Sequence, residues 1–369
     1  MKLKLGILFG GRSGEHEVSL MSARSVLNVL DHELYEVNEI GITHEGDWLS
    51  GEKVVDCLEN GDFASLYRVA LLNEDGKPVL FKRQMENMGE MLIPLTQLDV
   101  VFPVLHGTFG EDGTLQGQLE MIDIAYVGAG VLGSSVGMDK GLFKEVMRAN
   151  QIPIVKSILC TRQEIQNDLD GIIDEAERMS TYPLFVKPAN LGSSVGISKC
   201  KNHSDLLEGI LDAARYDRRI LIEEGINARE IEISVLGNED AQASIPGEIK
   251  PSDEYYSYRA KYIDGKSELF IPAPISKEQI KQVQGLALRT YKAIDCAGMA
   301  RIDFLLDRDS NQLYVNEVNT IPGFTSISMY PKLWEASGLP YPQLVDRLIE
   351  LAIQRKNDRD TNERKFKKQ

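Results

Sequence analysis

The chain has 369 residues, of which 43% are hydrophobic and 26% are charged, as is ordinary for a globular protein. The net charge of −15 argues against general nucleic-acid binding, which requires a basic surface. No apolar run approaches the length of a membrane-spanning helix, so we expect no membrane association. A chain of 369 residues exceeds what one hydrophobic core usually supports, so we expect two or three domains.

The four cysteines are far apart and include no CxxC pair. This spacing indicates neither a disulfide framework nor a zinc site, and it fits a reducing compartment. The first nine residues lead into a glycine turn and lack the cleavage site of a signal peptide. We therefore expect a cytoplasmic protein.

A strand over residues 3–9, the turn GGRSG at 10–14 and a helix open the chain, as in a doubly wound α/β domain. The GGxxG spacing departs from the GxGxxG of a dinucleotide site, which disfavours a nicotinamide oxidoreductase. Two interpretations remain for the turn. Its backbone can approach an anionic group at the helix N-terminus, or it is a plain tight turn.

Residues 45–97 have weak periodicity and predict irregular excursions from the first domain. A buried strand over 98–105 then ends at His106. A histidine there fits a core position or a ligand site, and its place at the C-terminal end of a strand favours the site. We place the end of the first domain near residue 130.

The next unit carries a lysine and a glycine-rich loop between two strands. Lys187 ends a strand over 184–188, and the loop GSSVG at 192–196 leads into a strand over 197–200. Small residues let backbone N–H groups close on phosphate oxygens, although hairpin loops without a ligand often have this composition. The other predicted elements are strands at 154–159 and 220–223 and helices at 140–149, 162–180 and 204–215.

Two polar stretches follow that fit a nucleotide site. Residues 223–226 (EEGI) leave a strand, where backbone groups can bind an adenine edge and Glu230 can bind ribose hydroxyls. The same acids also fit surface charges. Residues 255–266 hold four tyrosines within eight positions, which indicates a loop that folds over a ligand, with an exposed aromatic patch as the alternative.

An antiparallel hairpin is predicted from two apolar stretches around the turn sequence DRDSN, at residues 301–306 and 312–319. A symmetrical hairpin places Asp303 diagonally across from Glu317, with Arg301 beside Asp303 and Asn319 beside Glu317. Three oxygen ligands next to an arginine suit Mg²⁺ that also holds a nucleotide's phosphates. Two strand ends with charges facing solvent would give the same pattern.

After Asn319, the Pro-Gly turn and the hydroxyl and N–H groups up to Met329 can hold a carboxylate. A final helix is predicted over 341–354. The segment from Arg355 has seven basic and three acidic residues and is predicted to be a frayed end.

Together these motifs resemble those of the D-alanine–D-alanine ligases of the ATP-grasp superfamily. In chain order they are GGRSGEHEVS at 10–19, HG at 106–107, GEDGT at 110–114, MDK at 138–140, KP with GSSVG at 187–196, residues 258–262, RID at 301–303 and residues 316–329. The resemblance implies a three-domain α/β (α+β) ATP-grasp fold with an N-terminal doubly wound parallel sheet. It implies an N-terminal substrate domain at 1–130, a central ATP-grasp domain at 131–224, a C-terminal ATP-grasp domain at 225–356 and a disordered tail at 357–369.

The resemblance implies that ATP phosphorylates one D-alanine and that the amine of a second D-alanine attacks the acyl phosphate, for peptidoglycan synthesis. It also implies two Mg²⁺ or Mn²⁺ ions and a homodimer. The catalytic residues it indicates are Glu15, Ser193, Tyr262, Arg301, Gly323 and Ser328, and the substrate-binding residues are His106 and Met329. The ATP-binding residues are Lys140, Lys187, Ser194, Glu223, Glu224, Gly225, Ile226, Glu230 and Lys261. The metal ligands are Asp303, Glu317 and Asn319.

Two positions indicate D-alanine as the second substrate. Tyr262 matches dipeptide-forming members, and Met329 falls where ligases resembling the D-serine enzymes tend to have arginine. Alternatives are a sibling ligase for D-serine or D-lactate and a nucleotide-binding regulatory module without catalysis. A complete set of metal ligands beside an arginine disfavours the regulatory module.

Overall fold

The chain folds around three β-sheets, which this computed structural model describes over residues 2–87, 89–192, 195–250, 268–325 and 327–363. The sheets contain eight, four and six strands and follow one another along the sequence. The predicted mixed α/β architecture is confirmed. Within the described ranges, no helix combines the length and the apolar character needed to cross a bilayer.

Four parallel strands form one half of the N-terminal sheet: β1 (Leu3–Gly10), β2 (Tyr35–Ile42), β7 (Val100–Pro103) and β8 (Ala125–Tyr126). Its helices are α1 (His16–Leu27), α2 (Val54–Asn60) and α3 (Thr114–Ile122). Successive side chains of β1 point to opposite faces, so Leu5 and Phe9 pack with α1 and α2, whereas Leu8 packs with α3. Helices on both faces make this half doubly wound, as predicted.

The other half of this sheet is antiparallel: β3 (Trp48–Ser50), β4 (Tyr67–Glu74), β5 (Lys77–Glu86) and β6 (Gly89–Gln97). The prediction of irregular structure over residues 45–97 is therefore wrong. Val69, Leu71 and Leu80 are buried, but every residue of β6 is exposed or only half-buried. The alternation of apolar and polar residues that marks a half-buried strand is weak for that reason.

Four antiparallel strands form the central sheet: β9 (Ser157–Thr161), β10 (Leu184–Pro188), β11 (Ser198–Cys200) and β12 (Arg219–Glu224). The helices of this region are α4 (Val131–Met138), α5 (Lys140–Ala149), α6 (Arg162–Asn167), α7 (Leu169–Met179) and α8 (His203–Tyr216). The helix predicted over 162–180 is divided, because Asp168 accepts a hydrogen bond from the Gly171 N–H and caps α7. The strand predicted at 154–159 begins three residues later.

The third sheet contains β13 (Ala228–Gly237), β14 (Gln242–Ala243), β15 (Gly247–Lys250), β16 (Glu268–Phe270), β17 (Gly298–Asp307) and β18 (Leu313–Asn319). Its helices are α9 (Lys277–Ala293) and α10 (Met329–Ala336). The strands β17 and β18 form the predicted hairpin. Asp303 lies directly opposite Glu317 rather than diagonally across from it, because the pairing shifts after Asp303.

The last helix, α11 (Tyr341–Arg359), returns to the N-terminal sheet and packs into its core. The Arg355 guanidinium donates hydrogen bonds to the carbonyl groups of Tyr126, at 3.0 Å, and Gly128. Arg359 forms ion pairs with acids at the end of α3. The predictions of a frayed end from Arg355 and of a disordered tail from residue 357 are therefore wrong as far as Arg359. Residues 364–369 lie outside the described ranges.

We expect Arg355→Ala to lower the free energy of unfolding by about 2–3 kcal/mol, because charge-assisted hydrogen bonds are lost and two carbonyl groups lose their donor. Urea unfolding followed by circular dichroism measures the change. The control is Arg347→Ala on the same helix, since Arg347 pairs with Glu350 in solvent and its loss should cost less than about 0.5 kcal/mol. Equal losses in the two variants would contradict the anchoring role of Arg355.

Candidate active site

Acidic and amide side chains meet on three adjacent strands of the third sheet. Glu232 on β13 lies opposite Asp303 on β17, which lies opposite Glu317 on β18. In the neighbouring row Arg301 lies opposite Asn319, and the Asn319 Nδ2 donates a hydrogen bond to Asp303 Oδ2 at 3.0 Å. The three predicted metal ligands therefore share one region of the sheet. Their carboxylate and amide oxygens are hard ligands, which suit Mg²⁺ or Mn²⁺.

Arg301 is held by two of these acids. Its Nε and Nη2 donate to the two oxygens of Asp303 at 2.7 and 2.6 Å, and Nε lies 3.1 Å from Glu232 Oε2. Burial alone would lower the pKa of Arg301, but the charges of Asp303 and Glu232 outweigh it and raise that pKa well above its ordinary value. An ion bound by Asp303 would therefore share this carboxylate with Arg301.

Glu232 was missed by the sequence analysis. The alternating sequence EIEIS of β13 places Glu232 on the same face of the strand as Glu230, which was identified. This alternation is the signal that could have found it.

Glu223 on β12 lies between two lysines from different elements. The Nζ of Lys187 on β10 is 2.5 Å from Oε2, and the Nζ of Lys144 on α5 is 2.6 Å from Oε1. Burial alone would raise the pKa of Glu223, but the two ammonium charges outweigh it and hold the pKa at about 2. Lys140, one turn before Lys144, donates from Nζ to the Leu191 carbonyl at 2.7 Å. Lys144 was not predicted, although its spacing from Lys140 on a predicted helix puts both on one face.

Lys187 also lies within the influence of two more distant acids. Burial alone would lower the pKa of Lys187, but Glu223 outweighs it, and the charges of Glu317 and Glu230 add to the upward shift. One of these acids is a predicted metal ligand, and the other is the predicted ribose contact. The predicted metal site and the predicted ribose site therefore both lie close enough to Lys187 to shift its pKa.

The predicted adenine-binding segment, residues 223–226, begins in β12, and two of its N–H groups already donate to carbonyl groups of the protein. The Glu224 N–H donates to the Lys156 carbonyl at 3.0 Å, and the Gly225 N–H donates to the Pro183 carbonyl at 2.9 Å. The Glu224 carboxylate accepts from the Lys156 N–H at 2.8 Å. A nucleotide would therefore not meet these two N–H groups as free donors. Ile226, the last member of the segment, is half-buried.

Glu15 precedes α1, and its carboxylate lies against glycines from two different loops. A Cβ atom at Gly107 would lie 2.6 Å from Glu15 Oε2, and one at Gly192 would lie 2.8 Å from the same atom. Both distances are shorter than real Cβ contacts, so glycine at each position leaves room for the carboxylate. Glu15 therefore lies where the turn after β1, the loop after β7 and the glycine-rich loop meet.

His106 is buried, and both ring nitrogens have protein partners. Its Nδ1 lies 3.0 Å from the Ile321 carbonyl oxygen and its Nε2 lies 3.0 Å from Ser22 Oγ. Burial lowers the pKa of His106, and the charge of Glu15 opposes this shift while that of Arg301 adds to it. The histidine thus fills a core position, and it lies close enough to Glu15 and Arg301 for their charges to affect its pKa.

Glu111 connects the loop after β7 to the segment after β18. Its Oε2 accepts from the Gly107 N–H at 2.8 Å, and its Oε1 accepts from the Ile321 N–H at 3.0 Å. Removal from solvent and the charge of Glu15 raise the pKa of Glu111 to about 8, against the opposing effect of these donors and of Arg301. Glu111 lies in the recognised GEDGT motif, but no role was predicted for it.

We call residues 320–325 the docked segment, because it is fastened to the N-terminal part of the chain. Besides its contacts to His106 and Glu111, its Phe324 N–H donates to Ser22 Oγ at 3.3 Å, and the Tyr341 hydroxyl donates to the Phe324 carbonyl at 3.0 Å. The docked segment contains Gly323, the predicted oxyanion donor.

Ser328 and Met329 follow the docked segment at the start of α10. Ser328 Oγ accepts from the Thr325 N–H at 3.0 Å and lies 2.8 Å from Thr325 Oγ1. Met329 is buried in a cluster with Ile249 and Leu333, and its methyl group would overlap a Cβ at position 247. Four predicted site residues, Ser193, Ser194, Lys261 and Tyr262, lie outside the described ranges.

Comparison with known proteins identifies the family. A model of the D-ala D-ala ligase N-terminus matches residues 4–129, and a model of the D-ala D-ala ligase C-terminus matches residues 146–350. The chain belongs to the D-alanine–D-alanine ligase family. Its members are ATP-dependent ligases that form a carbon–nitrogen bond, and their fold is the ATP-grasp fold that the sequence predicted.

Relatives and solved structures cover nearly the whole chain. The D-alanine–D-alanine ligase of Natranaerobius thermophilus is 49% identical over 366 residues, which cover 99% of each chain. That of Thermoanaerobacter sp. (strain X514) is 50% identical over 370 residues, which cover 97% of this chain and 98% of that one.

Among solved structures, the D-alanine–D-alanine ligase of Coxiella burnetii is 37% identical with a TM-score of 0.82, over 98% of this chain and 96% of that one. The VanG D-Ala:D-Ser ligase of Enterococcus faecalis is 34% identical with a TM-score of 0.83, over 95% of this chain and 100% of that one.

Glu111→Gln tests the charge state of the group that holds the docked segment. The pKa of Glu111 is about 8 in the folded protein against an ordinary 4.5, so between these values the folded state keeps a proton that the unfolded chain releases. Relative to Glu111→Gln, the free energy of unfolding of the unsubstituted protein should therefore fall as the pH rises from about 5 to about 8, by on the order of 3 kcal/mol. Urea unfolding at several pH values measures this difference. If Glu33→Gln, an exposed control, showed the same trend, the assignment to Glu111 would be wrong.

Proposed function

We propose that this protein joins two molecules of D-alanine to give D-alanyl-D-alanine, ADP and phosphate, as a step in cell-wall precursor synthesis. The observation that carries the proposal is that Glu111 joins the surroundings of Glu15 to those of Arg301. It accepts hydrogen bonds from Gly107, against which the Glu15 carboxylate lies, and from Ile321, two residues after the Asn319 that pairs with Arg301. An amino acid substrate presents an ammonium group and a carboxylate, so its site needs an acid and a cation facing each other. Family membership supplies the reaction that such a site performs.

In the first step, a carboxylate oxygen of one D-alanine attacks the γ-phosphorus of ATP, the bond from that phosphorus to the bridging oxygen breaks, and ADP and D-alanyl phosphate form. Lys140 and Lys187 bring ammonium groups to the phosphates and offset their charge. Mg²⁺ or Mn²⁺, when held by Asp303, Glu317 and Asn319, would supply further neutralisation of the phosphate oxygens. Support for this assignment is that Glu317 lies close enough to influence Lys187.

In the second step, the amine of another D-alanine attacks the acyl carbon, phosphate leaves, and the amine loses a proton. Arg301 and the Gly323 N–H would hold the oxyanion of the tetrahedral intermediate. Glu15 would hold the ammonium group of the first D-alanine, and Ser328 would contact the carboxylate of the second. Support comes from Glu111, whose bond to the docked segment ties the position of Gly323 to the region around Glu15.

Closure of the site over the acyl phosphate is the remaining part of the proposal. Ser193 and Tyr262 would join Glu15, while Ser194 and Lys261 would contact ATP. The position of Gly192 against Glu15 supports this, because Gly192 is the residue next to Ser193 in the sequence. An acyl phosphate hydrolyses readily, so a closed loop would protect it from water.

The adenosine end of ATP would lie at the segment after β12, with Glu230 on the ribose. We further propose two metal ions, a cytoplasmic location, a homodimer and the three domains at residues 1–130, 131–224 and 225–356. All four cysteines are free, which agrees with a reducing compartment.

The function is tested by incubating the purified protein with ATP, Mg²⁺ and D-alanine and measuring ADP, phosphate and dipeptide together by coupled assay and mass spectrometry. We expect one ADP and one phosphate for each D-alanyl-D-alanine. Mixtures of D-alanine with D-serine or D-lactate run in parallel, because the similarity to VanG makes D-serine the second candidate acceptor. Since Met329 is packed among apolar side chains and offers no charge, we expect little mixed product. A predominant D-alanyl-D-serine product would overturn the acceptor assignment.

We expect Glu317→Gln to lower kcat by at least about 100-fold, because a metal-binding carboxylate becomes a neutral amide of the same shape. Steady-state kinetics at several Mg²⁺ and Mn²⁺ concentrations measure the loss, and circular dichroism checks the fold. The matched control is Glu350→Gln on the exposed face of α11, which should leave kcat unchanged. Near-normal kcat and metal dependence in Glu317→Gln would refute the metal assignment.

A further inference from the structure

The ion pair between Lys144 and Glu223 has no part in the steps described above. It is nearly excluded from solvent, since the Lys144 side chain is 2% exposed and that of Glu223 is 4% exposed. Burial lowers the pKa of Lys144 even though the acid opposes the shift, so placing an ammonium group there carries a cost. Buried ion pairs often stabilise a fold no better than apolar side chains of similar size. The presence of Lys144 therefore calls for a reason other than stability.

The two oxygens of Glu223 are divided between two lysines of different exposure. Oε1 faces Lys144 on α5, and Oε2 faces Lys187, the last residue but one of β10. The Lys187 side chain is 15% exposed, so it borders the open side of the site. Lys187 can turn toward a ligand, whereas Lys144 is enclosed.

A buried carboxylate that loses its only partner is strongly disfavoured. If Lys187 were the only cation at Glu223, transferring its ammonium group to a phosphate would leave that carboxylate uncompensated. With Lys144 on the other oxygen, Glu223 keeps one ammonium group throughout.

We propose that Lys144 is a positioning residue, which keeps Glu223 paired while Lys187 exchanges that carboxylate for a phosphate group of ATP. This inference rests on the proposed function, in that it takes Lys187 as a phosphate ligand. Lys144 itself contacts neither the nucleotide nor D-alanine.

Removing Lys144 should weaken ATP binding without affecting D-alanine. In Lys144→Met, Glu223 would hold Lys187 as its one remaining cation, and ATP would have to compete for it. We expect the Kd of a non-hydrolysable ATP analogue with Mg²⁺ to rise at least about tenfold, or about 1.4 kcal/mol. The KM for ATP should rise in parallel, and the KM for D-alanine should stay within about threefold.

The decisive experiment measures the effect of Lys144→Met on analogue affinity in two backgrounds, by isothermal titration calorimetry of the full chain. In the unsubstituted background we expect the tenfold loss. In the Glu223→Gln background we expect a loss of less than about threefold, because a neutral amide does not compete for Lys187. Equal losses in both backgrounds would show a purely structural role and overturn the proposal. Unchanged affinity in the single Lys144→Met variant would overturn it as well.

Two further measurements keep the result interpretable. Lys144→Arg retains the charge and should therefore bind the analogue more tightly than Lys144→Met. Thermal unfolding of each variant checks the fold, and Lys144→Gln replaces Lys144→Met in the same comparison if the latter does not fold. The titrations do not require turnover. A protein that binds the analogue but makes no dipeptide would therefore refute the proposed function, and the titrations alone would still decide the role of Lys144.

Discussion

Three side chains from α1 and the loop after β7 fasten the docked segment to the N-terminal part of the chain, and the rest of the site depends on this attachment. His106 contacts the carbonyl and Glu111 the N–H of the same residue, and Ser22 accepts a hydrogen bond three residues later. The docked segment leaves β18, which pairs with the strand that carries Arg301. This attachment therefore sets the separation between Arg301 and Glu15, which are 286 residues apart in the sequence. Rigid placement of charge at a reacting centre is what electrostatic catalysis requires.

The Glu15 carboxylate places a second constraint on the site, because two glycines must leave it room. Gly107 follows the strand that ends at His106, whereas Gly192 opens the glycine-rich loop of the central region. A side chain at either position would displace the carboxylate or the loop. The location of one acid is thus linked to the loop that is proposed to cover the nucleotide. Substrate binding at Glu15 and closure of that loop are expected to influence each other for this reason.

Features that depend on local chemistry were predictable, and those that depend on distant partners were not. The turn sequence between β17 and β18 identified the hairpin, although the shift after Asp303 altered its register. The strands within residues 45–97 escaped detection because most of their residues are exposed or half-buried, which weakens the alternation. From the sequence, Arg355 is part of a basic tail exposed to solvent. Its hydrogen-bond partners are the carbonyl groups of Tyr126 and Gly128, more than 200 residues earlier, which the local sequence does not indicate. The ion pair of Lys144 was likewise not predictable, because its partner Glu223 lies on β12, 79 residues later in the sequence.

Each strongly buried charge of the site already has a partner within the protein. Asp303 is bound by Arg301, and Glu223 is bound by Lys187 and Lys144. In the proposed function, binding of ATP and metal would therefore be an exchange of partners: phosphate would take the place of a carboxylate at Lys187, and a metal ion would share the carboxylate held by Arg301. An exchange avoids most of the desolvation cost that a bare buried charge would impose before the ligand arrives. Such an exchange also requires that the group left behind keeps a charged partner. Lys144 would provide that partner for Glu223, and Glu232 would provide it for Arg301.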